Sequence, residues 1–248
     1  MAGHSKWANI RHRKGAQDAK RAKIFTKIIR ELTVAAKMGG DDIESNPRLR
    51  AAVNNARLAN MPKDTMERAI KRGLGNEEGS NYEEIRYEGY GPGGTAFIVE
   101  TLTENRNRTA GEIRAAFSKM GGNLGETGSV TYLFERKGMI QYPASAADVD
   151  TMFEAALEAG ADHVESDAYI HEIHTSPDAL NEVREALSAR YGDPQTARLE
   201  WIAQNKITVD ATQAATLIKL VETLEENDDV QHVSSNFDIP DEVMDQLQ

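Results

Sequence analysis

The residues of this sequence best suited to do chemistry are cations. Taken at about 100° per residue, Lys20, Lys23, Lys27, Arg30 and Lys37 share one arc of a helix expected over Lys14–Lys37, and Arg21 adds a further cation to the same segment. Ile24, Phe25, Ile28, Ile29, Leu32, Ala35 and Ala36 fall on the opposite arc. A solvated helix face ordinarily mixes acids with its bases, because opposite charges at i,i+4 support the helix. Residues 1–37 instead carry 10 Lys+Arg against only Asp18 and Glu31. One-signed clustering of this kind suits a phosphate backbone, which is bound by charge neutralisation and counterion release. Upstream, Lys6, Arg11, His12, Arg13 and Lys14 form a basic arm without apolar period, of the type that orders on a polyanion. Trp7 within that arm either stacks on an unpaired base or pins the arm to the helices. Arg106 and Arg108 make a second basic pair, at a helix entrance in Glu104-Asn105-Arg106-Asn107-Arg108-Thr109. They either extend the binding surface or neutralise their neighbours.

Other chemistries find no footing. With no cysteine, thiolate metal sites, disulfides and cysteine nucleophiles are excluded. Gly91, Gly93 and Ala96 match G-x-G-x-x-A but lead into the strand-like Ala96-Phe97-Ile98-Val99, whereas a dinucleotide fingerprint opens a helix. The glycine-rich run Gly121–Ser129 lacks the lysine of a phosphate loop. His171-Glu172-Ile173-His174 misses zincin spacing, and on a strand its two histidines point to opposite faces. No G-x-S-x-G occurs. Glu222, Glu225 and Glu226 read as a solvated helix face. No enzyme, no cofactor, no metal and no small-molecule substrate is therefore expected.

The elements that must position the cations follow from caps and periodicity. Gly39-Gly40 stops the first helix, Ser45-Asn46-Pro47 announces a second running to about Asn60, and Met61-Pro62-Lys63-Asp64 starts a third that Gly73 closes. Gly75–Ser80 reads as a linker. Beyond it come strands at Glu84–Glu88 and Thr95–Leu102 joined by Gly89–Gly94, and a helix at Ile113–Met120 behind the capping-box spacing of Thr109 and Glu112. A strand follows at Ser129–Arg136. From Gly138 the order is strand (Met139–Tyr142), helix (Val149–Ala159), strands near His163–Glu165 and Tyr169–His174, helix (Ala179–Arg190) and strand (Ala197–Ala203). This is the split β-α-β, ferredoxin-like order. A last helix (Thr212–Glu226) and strand (Val230–Phe237) would complete the unit begun before Gly138. The expected fold is multidomain, α and α+β. It has a basic helical domain (1–78) and two ferredoxin-like α+β domains, of which 137–206 is inserted in 79–136 plus 207–248.

The chain has 248 residues and a net charge of -11, from 29 Lys+Arg and 40 Asp+Glu. Residues 1–72 hold 17 basic and 7 acidic residues, leaving 12 and 33 for residues 73–248. A segment at +10 thus precedes a body at -21, and at a Debye length of about 8 Å the near charge decides what binds. The longest stretch free of Asp, Glu, Lys and Arg is the 11 residues Gly89–Val99, half of what a membrane helix needs. Met1–Lys6 opens without an apolar core segment, so a cytoplasmic protein is expected.

Several long motifs then coincide in order with one family. His4-Ser5-Lys6-Trp7-Ala8-Asn9-Ile10, His12-Arg13-Lys14, Lys23-Ile24-Phe25-Thr26-Lys27 and Asn46-Pro47-Arg48-Leu49-Arg50 closely resemble the YebC/PmpR family. So do Asn60–Asp64, Tyr87–Gly94 and Asn105–Thr109. The likeness covers essentially the whole chain, with departures mainly in the third domain. The resemblance implies three domains, a bacterial cytoplasm or a mitochondrion, and no catalytic residues. Members are commonly described as DNA-binding transcription regulators. Others, including the mitochondrial translational activator of cytochrome oxidase, resemble ribosome-associated factors in translation regulation, binding RNA and relieving stalls. DNA and rRNA or the ribosome both remain open as the nucleic-acid partner, and the gap of about eight residues between the first two helices, too long for a helix-turn-helix connection, tilts the expectation toward shaped RNA. A protein-interaction adapter working through the acidic α+β domains is the rival reading.

Overall fold

A computed structural model describes residues 17–75 and 81–246. Three helices come first: α1 (Gln17–Gly39), α2 (Pro47–Leu58) and α3 (Lys63–Leu74). Asn46 builds the first corner: its side chain caps α2 by accepting the Leu49 N–H at 3.0 Å, and its amide donates to the Ala35 and Gly40 carbonyls, both at 2.8 Å. Leu32, Ala35 and Ala36 of α1 are buried with Leu49, Ala52, Val53 and Ala56 of α2 and Ala69 of α3. The expected apolar arc is thus the bundle core, except at Ile24, which is 42% exposed. There the chain has already turned back at Asn60, whose carbonyl is within reach of Arg21 at 3.5 Å, so among the described residues no helix covers Ile24.

Gly73 does not close α3, which continues to Leu74. A Cβ at Gly73 would lie 2.2 Å from the Thr33 carbonyl oxygen, so this glycine marks the close crossing of α3 over α1.

A four-stranded antiparallel sheet follows in the order β3-β1-β2-β9, from β1 (Glu83–Tyr90), β2 (Ala96–Thr103), β3 (Asn123–Leu124) and β9 (Val230–Ser235). The β1–β2 turn needs glycine where Gly93 and Gly94 take φ of 73° and 72°. Between β2 and β3 runs α4 (Arg106–Lys119). It begins earlier than its capping-box spacing suggests, because Asn105 caps it by accepting the Arg108 N–H at 3.1 Å. Thr109 is consequently an interior residue, fully buried.

The stretch expected to be a strand over Ser129–Arg136 instead enters a short 3-10 turn, Thr131–Leu133. It then becomes β4 (Phe134–Pro143), which continues unbroken through Gly138. A Cβ at Gly138 would come 2.2 Å from Thr175 Oγ1, so this glycine too reflects packing. β4 is central in a second antiparallel sheet ordered β5-β6-β4-β7, with β5 (His163–Ser166), β6 (Ile170–Thr175) and β7 (Thr196–Ala203). α5 (Val149–Glu158) and α6 (Leu180–Tyr191) cover one face of it over a core of Ile140, Tyr142, Met152, Ile173, Val183 and Leu187.

The chain then returns to the first sheet. β8 (Ile207–Thr208) pairs in parallel with β10 (Phe237–Asp238), and α7 (Ala211–Glu226), opened by an Asp210–Gln213 capping box, precedes β9; α8 (Asp241–Gln246) ends the described chain. Phe97, Ile113, Phe117, Leu217, Val221 and Phe237 form the core beneath α4 and α7. Ala96, Ile98, Val130 and Phe134 seal the seam between the sheets. Among the described residues no helix is long and apolar enough to cross a membrane.

Candidate nucleic-acid interface

The cationic arc of α1 does not face open solvent along its length. Lys23 Nζ donates to the Glu226 carbonyl at 2.8 Å, and Lys27 Nζ donates to the Glu225 carbonyl at 3.0 Å. These carbonyls end α7, where the last C=O groups lack helical partners and the helix dipole is negative, so two ammonium groups there act as a C-terminal cap. The half-buried Glu225 and exposed Glu226 therefore sit at a helix end that α1 engages through its backbone, rather than on a freely solvated face.

One turn further, Arg30 donates to the Leu102 carbonyl at 2.9 Å and to Asp229. Asp229 is 2% exposed and gathers a polar knot: Arg108 donates to it at 2.7 Å, Thr109 Oγ1 at 2.7 Å and Thr103 Oγ1 at 3.2 Å. Burial would raise the Asp229 carboxyl, but hydrogen bonds from Arg108, Thr109 and Arg30, with the charge of Arg30, outweigh it and hold the group at about 2. Burial pushes His232 well below its ordinary value, and the charges of Arg198, Lys27 and Arg136 push it the same way. Arg48 of α2 adds a further tie. It grips Glu31 through two bonds of 2.7 and 3.0 Å and forms an ion pair with Glu84 of β1.

The sequence-derived set thus divides. Lys23, Lys27, Arg30 and Arg108 have partners inside the protein. Arg21 and Arg106 are exposed, with Arg21 stacked on Phe25 at 5.4 Å. Lys20 lies in α1. Lys6, Trp7, Arg11, His12, Arg13 and Lys14 lie outside the described residues. A second group of exposed cations was not singled out from sequence: Arg57 at the end of α2, and Lys63, Arg68, Lys71 and Arg72 on α3. The acids Asp64 and Glu67 interrupt them in sequence. Lys71 and Arg72 nevertheless both fall in the last turn of α3, which packs on α1 at Gly73, a contact that sequence order does not announce.

The glycine-rich loop before β4 is held by its own chain. Glu88, fully buried in its side chain, accepts the N–H groups of Gly128, Val130 and Thr131 at 2.9, 2.9 and 3.0 Å and the Thr131 hydroxyl at 2.6 Å. Burial opposes its charge, and these bonds overcome the opposition, holding Glu88 at about 2. Backbone amides that could cradle a phosphate thus cradle a carboxylate. His171 bonds Ser166 at 2.7 Å and the Ala147 carbonyl at 3.0 Å, while His174 bonds Glu172 at 2.9 Å on the other face of β6. Among the described residues no three His, Asp or Glu are grouped as metal ligands.

Comparison with known proteins agrees with this architecture. Residues 5–76 match the model of the TACO1/YebC protein N-terminal domain, and residues 82–237 match that of the TACO1/YebC second and third domain. A protein of Magnetococcus marinus described as a probable transcriptional regulatory protein is 54% identical over 248 residues, covering 100% of this chain and 99% of that one. The crystal structure of a conserved hypothetical protein from Aquifex aeolicus superposes with a TM-score of 0.86 at 47% identity, over 90% of this chain and 93% of the other.

Proposed function

Because the chain belongs to the TACO1/YebC family, we propose that it is a non-enzymatic, nucleic-acid-binding regulator of gene expression. Residues 1–78 form the unit that contacts the phosphate backbone. The observation that carries this reading is the segregation of charge, a segment at +10 joined to a body at -21. Lys6, Trp7, Arg11, His12, Arg13, Lys14, Lys20 and Arg21 supply the contacts, joined by the exposed Arg68, Lys71 and Arg72 of α3 and by Arg106. Lys23, Lys27, Arg30 and Arg108 serve first as docking residues. DNA is the favoured partner, since the Magnetococcus marinus relative is described as a transcriptional regulator. The four residues Ala59–Pro62 between α2 and α3 also suit a helix-turn-helix connection. The body is read as one α+β domain interrupted by a ferredoxin-like insertion, whose expected bounds of 137–206 are moved back to 134 so that the insertion opens with the whole of β4. The protein acts in the cytoplasm.

The test is a titration of full-length protein with unrelated DNA duplexes and with structured RNA over several salt concentrations. Arg68→Glu, Lys71→Glu and Arg72→Glu together are expected to weaken binding to all duplexes alike and to flatten the log-affinity against log-salt slope by about 2 to 3. A changed sequence preference with an unchanged slope would make α3 a base reader instead. Wild-type protein that binds neither polymer would defeat the reading, and binding confined to ribosomal RNA would move it to translation.

A further inference from the structure

Apart from the basic unit, the second sheet carries an apolar surface that none of the described residues covers. α5 turns Met152, Ala155 and Ala156 into the core, at 0%, 3% and 0% exposure. Its outer side leaves Val149, Phe153 and Leu157 exposed by 55%, 45% and 44%. Spaced i, i+4, i+8, these three lie within about 80° of one another around the helix and form a stripe along its length. Single exposed apolar side chains are ordinary, whereas a contiguous row marks a place of contact. Tyr169, also 47% exposed, belongs to a turn whose carbonyl accepts the Ala144 N–H at 2.8 Å, just ahead of α5.

The charge around the stripe says what kind of surface meets it. Residues 138–183 hold ten Asp+Glu and no Lys or Arg. Asp150 and Glu154 follow Val149 and Phe153 around the helix and are exposed, while Glu158 is paired with Arg190 at 3.0 Å.

We propose that the α5 stripe docks an amphipathic helix of a second protein, with apolar side chains meeting Val149, Phe153 and Leu157 and with Lys or Arg meeting Asp150 and Glu154. Helix-on-helix recognition of this kind reads apolar anchors at i and i+4, and flanking charge sets the partner. A second copy of this chain fits poorly, because a two-fold contact through α5 would set Asp150 and Glu154 against the same acids. A nucleic acid is opposed by the same charges. The inference does not rest on the nucleic-acid reading, and the two fail separately.

The experiment titrates the full-length protein against a fluorescent helical peptide of about five turns with leucines on one stripe and lysines elsewhere. A peptide of identical composition with the leucines scattered is the control. Wild-type protein is expected to prefer the striped peptide by about tenfold or more. Phe153→Ser with Leu157→Ser should abolish the preference without lowering the melting temperature, since both side chains are outside the core. Asp150→Lys with Glu154→Lys should transfer it to a leucine/glutamate peptide. Equal binding of both peptides, or a preference that survives the serine substitutions, would overturn the proposal. A wild-type dimer that Phe153→Ser dissociates would also overturn it, by giving the stripe to a second copy.

Discussion

Arg30 and Asp229 stand 199 positions apart, yet their side chains form the ion pair that fastens α1 to the first sheet. Asp229 also holds Arg108 and the hydroxyls of Thr103 and Thr109. It is therefore a shared anchor for the helical unit, the end of β2 and the start of α4.

Asp229→Asn keeps the shape but removes the charge, leaving two guanidinium groups facing a neutral amide. Breaking a buried pair costs about 3–5 kcal/mol. Arg108 is half-exposed and so partly screened, which places the expected loss at about 2–4 kcal/mol. Chemical denaturation at neutral pH measures it. A loss below about 0.5 kcal/mol would show that the knot is dispensable.

Acid should release the same anchor. The Asp229 and Glu88 carboxyls are depressed from 3.8 and 4.5 to about 2 in the folded protein. Between those values the unfolded chain binds more protons, so stability rises with pH. Their contribution is complete above about pH 4.5 and is lost as pH falls toward 2. At about 1.36 kcal/mol per unit, each group is worth on the order of 2–3 kcal/mol. Denaturation midpoints followed from pH 7 to pH 2 should fall steeply below pH 4.5, and less steeply in Glu88→Gln and Asp229→Asn. Identical slopes in wild type and variants would assign the acid sensitivity to other groups.

Much of this fold was legible in the residues. Asn46 before Pro47 announced α2, and alternation announced the two histidine faces of β6. Amphipathic arithmetic also separated the Leu32, Ala35 and Ala36 side of α1 from its cationic side. It could not separate solvent from a polar partner, because the end of α7 and Asp229 offer lysine and arginine the same favourable field that water and phosphate do. Asn105 and Thr109 were both able to cap α4, and only the buried Asp229, 120 positions from Thr109, decided that Thr109 goes inside. Gly73 and Gly138 read as punctuation. In each, the missing Cβ serves a neighbouring element that sequence order does not place beside it.

Gly73→Ala tests that difference. Alanine favours a helix interior over glycine by about 1 kcal/mol, so a Gly73 that merely occupied the last turn of α3, with no positive φ to require glycine, would be improved. Its Cβ, however, would come 2.2 Å from the Thr33 carbonyl oxygen and 3.0 Å from Ala36 Cβ. Overpacking of this kind costs about 1–3 kcal/mol or more. The expected outcome is net destabilisation, read from the thermal midpoint, and a stabilised variant would deny the close crossing of α1 and α3.

The last prediction concerns the cationic arc itself. Were Lys23, Lys27 and Arg30 simply solvated, their joint reversal to Glu would leave stability within about 0.5 kcal/mol. Here the two reversed lysines would set carboxylates against the Glu225 and Glu226 carbonyls at the negative end of α7, and the third would set one against Asp229. Each helix-end charge is worth about 0.3–1 kcal/mol, and the unpaired buried Asp229 adds more. The triple variant is therefore expected to lose about 2–4 kcal/mol, whereas Arg68→Glu, Lys71→Glu and Arg72→Glu on the exposed face of α3 should cost less, about 1–2 kcal/mol, because only Lys71 and Arg72 lie at the negative end of that helix. Unfolding curves of the two triple variants, followed side by side with their nucleic-acid affinity, make the comparison. A clearly larger loss of stability in the first and loss of affinity in the second would divide docking from binding as the geometry does. An unchanged midpoint in the first would mean that α1 does not depend on α7 and Asp229 for its place.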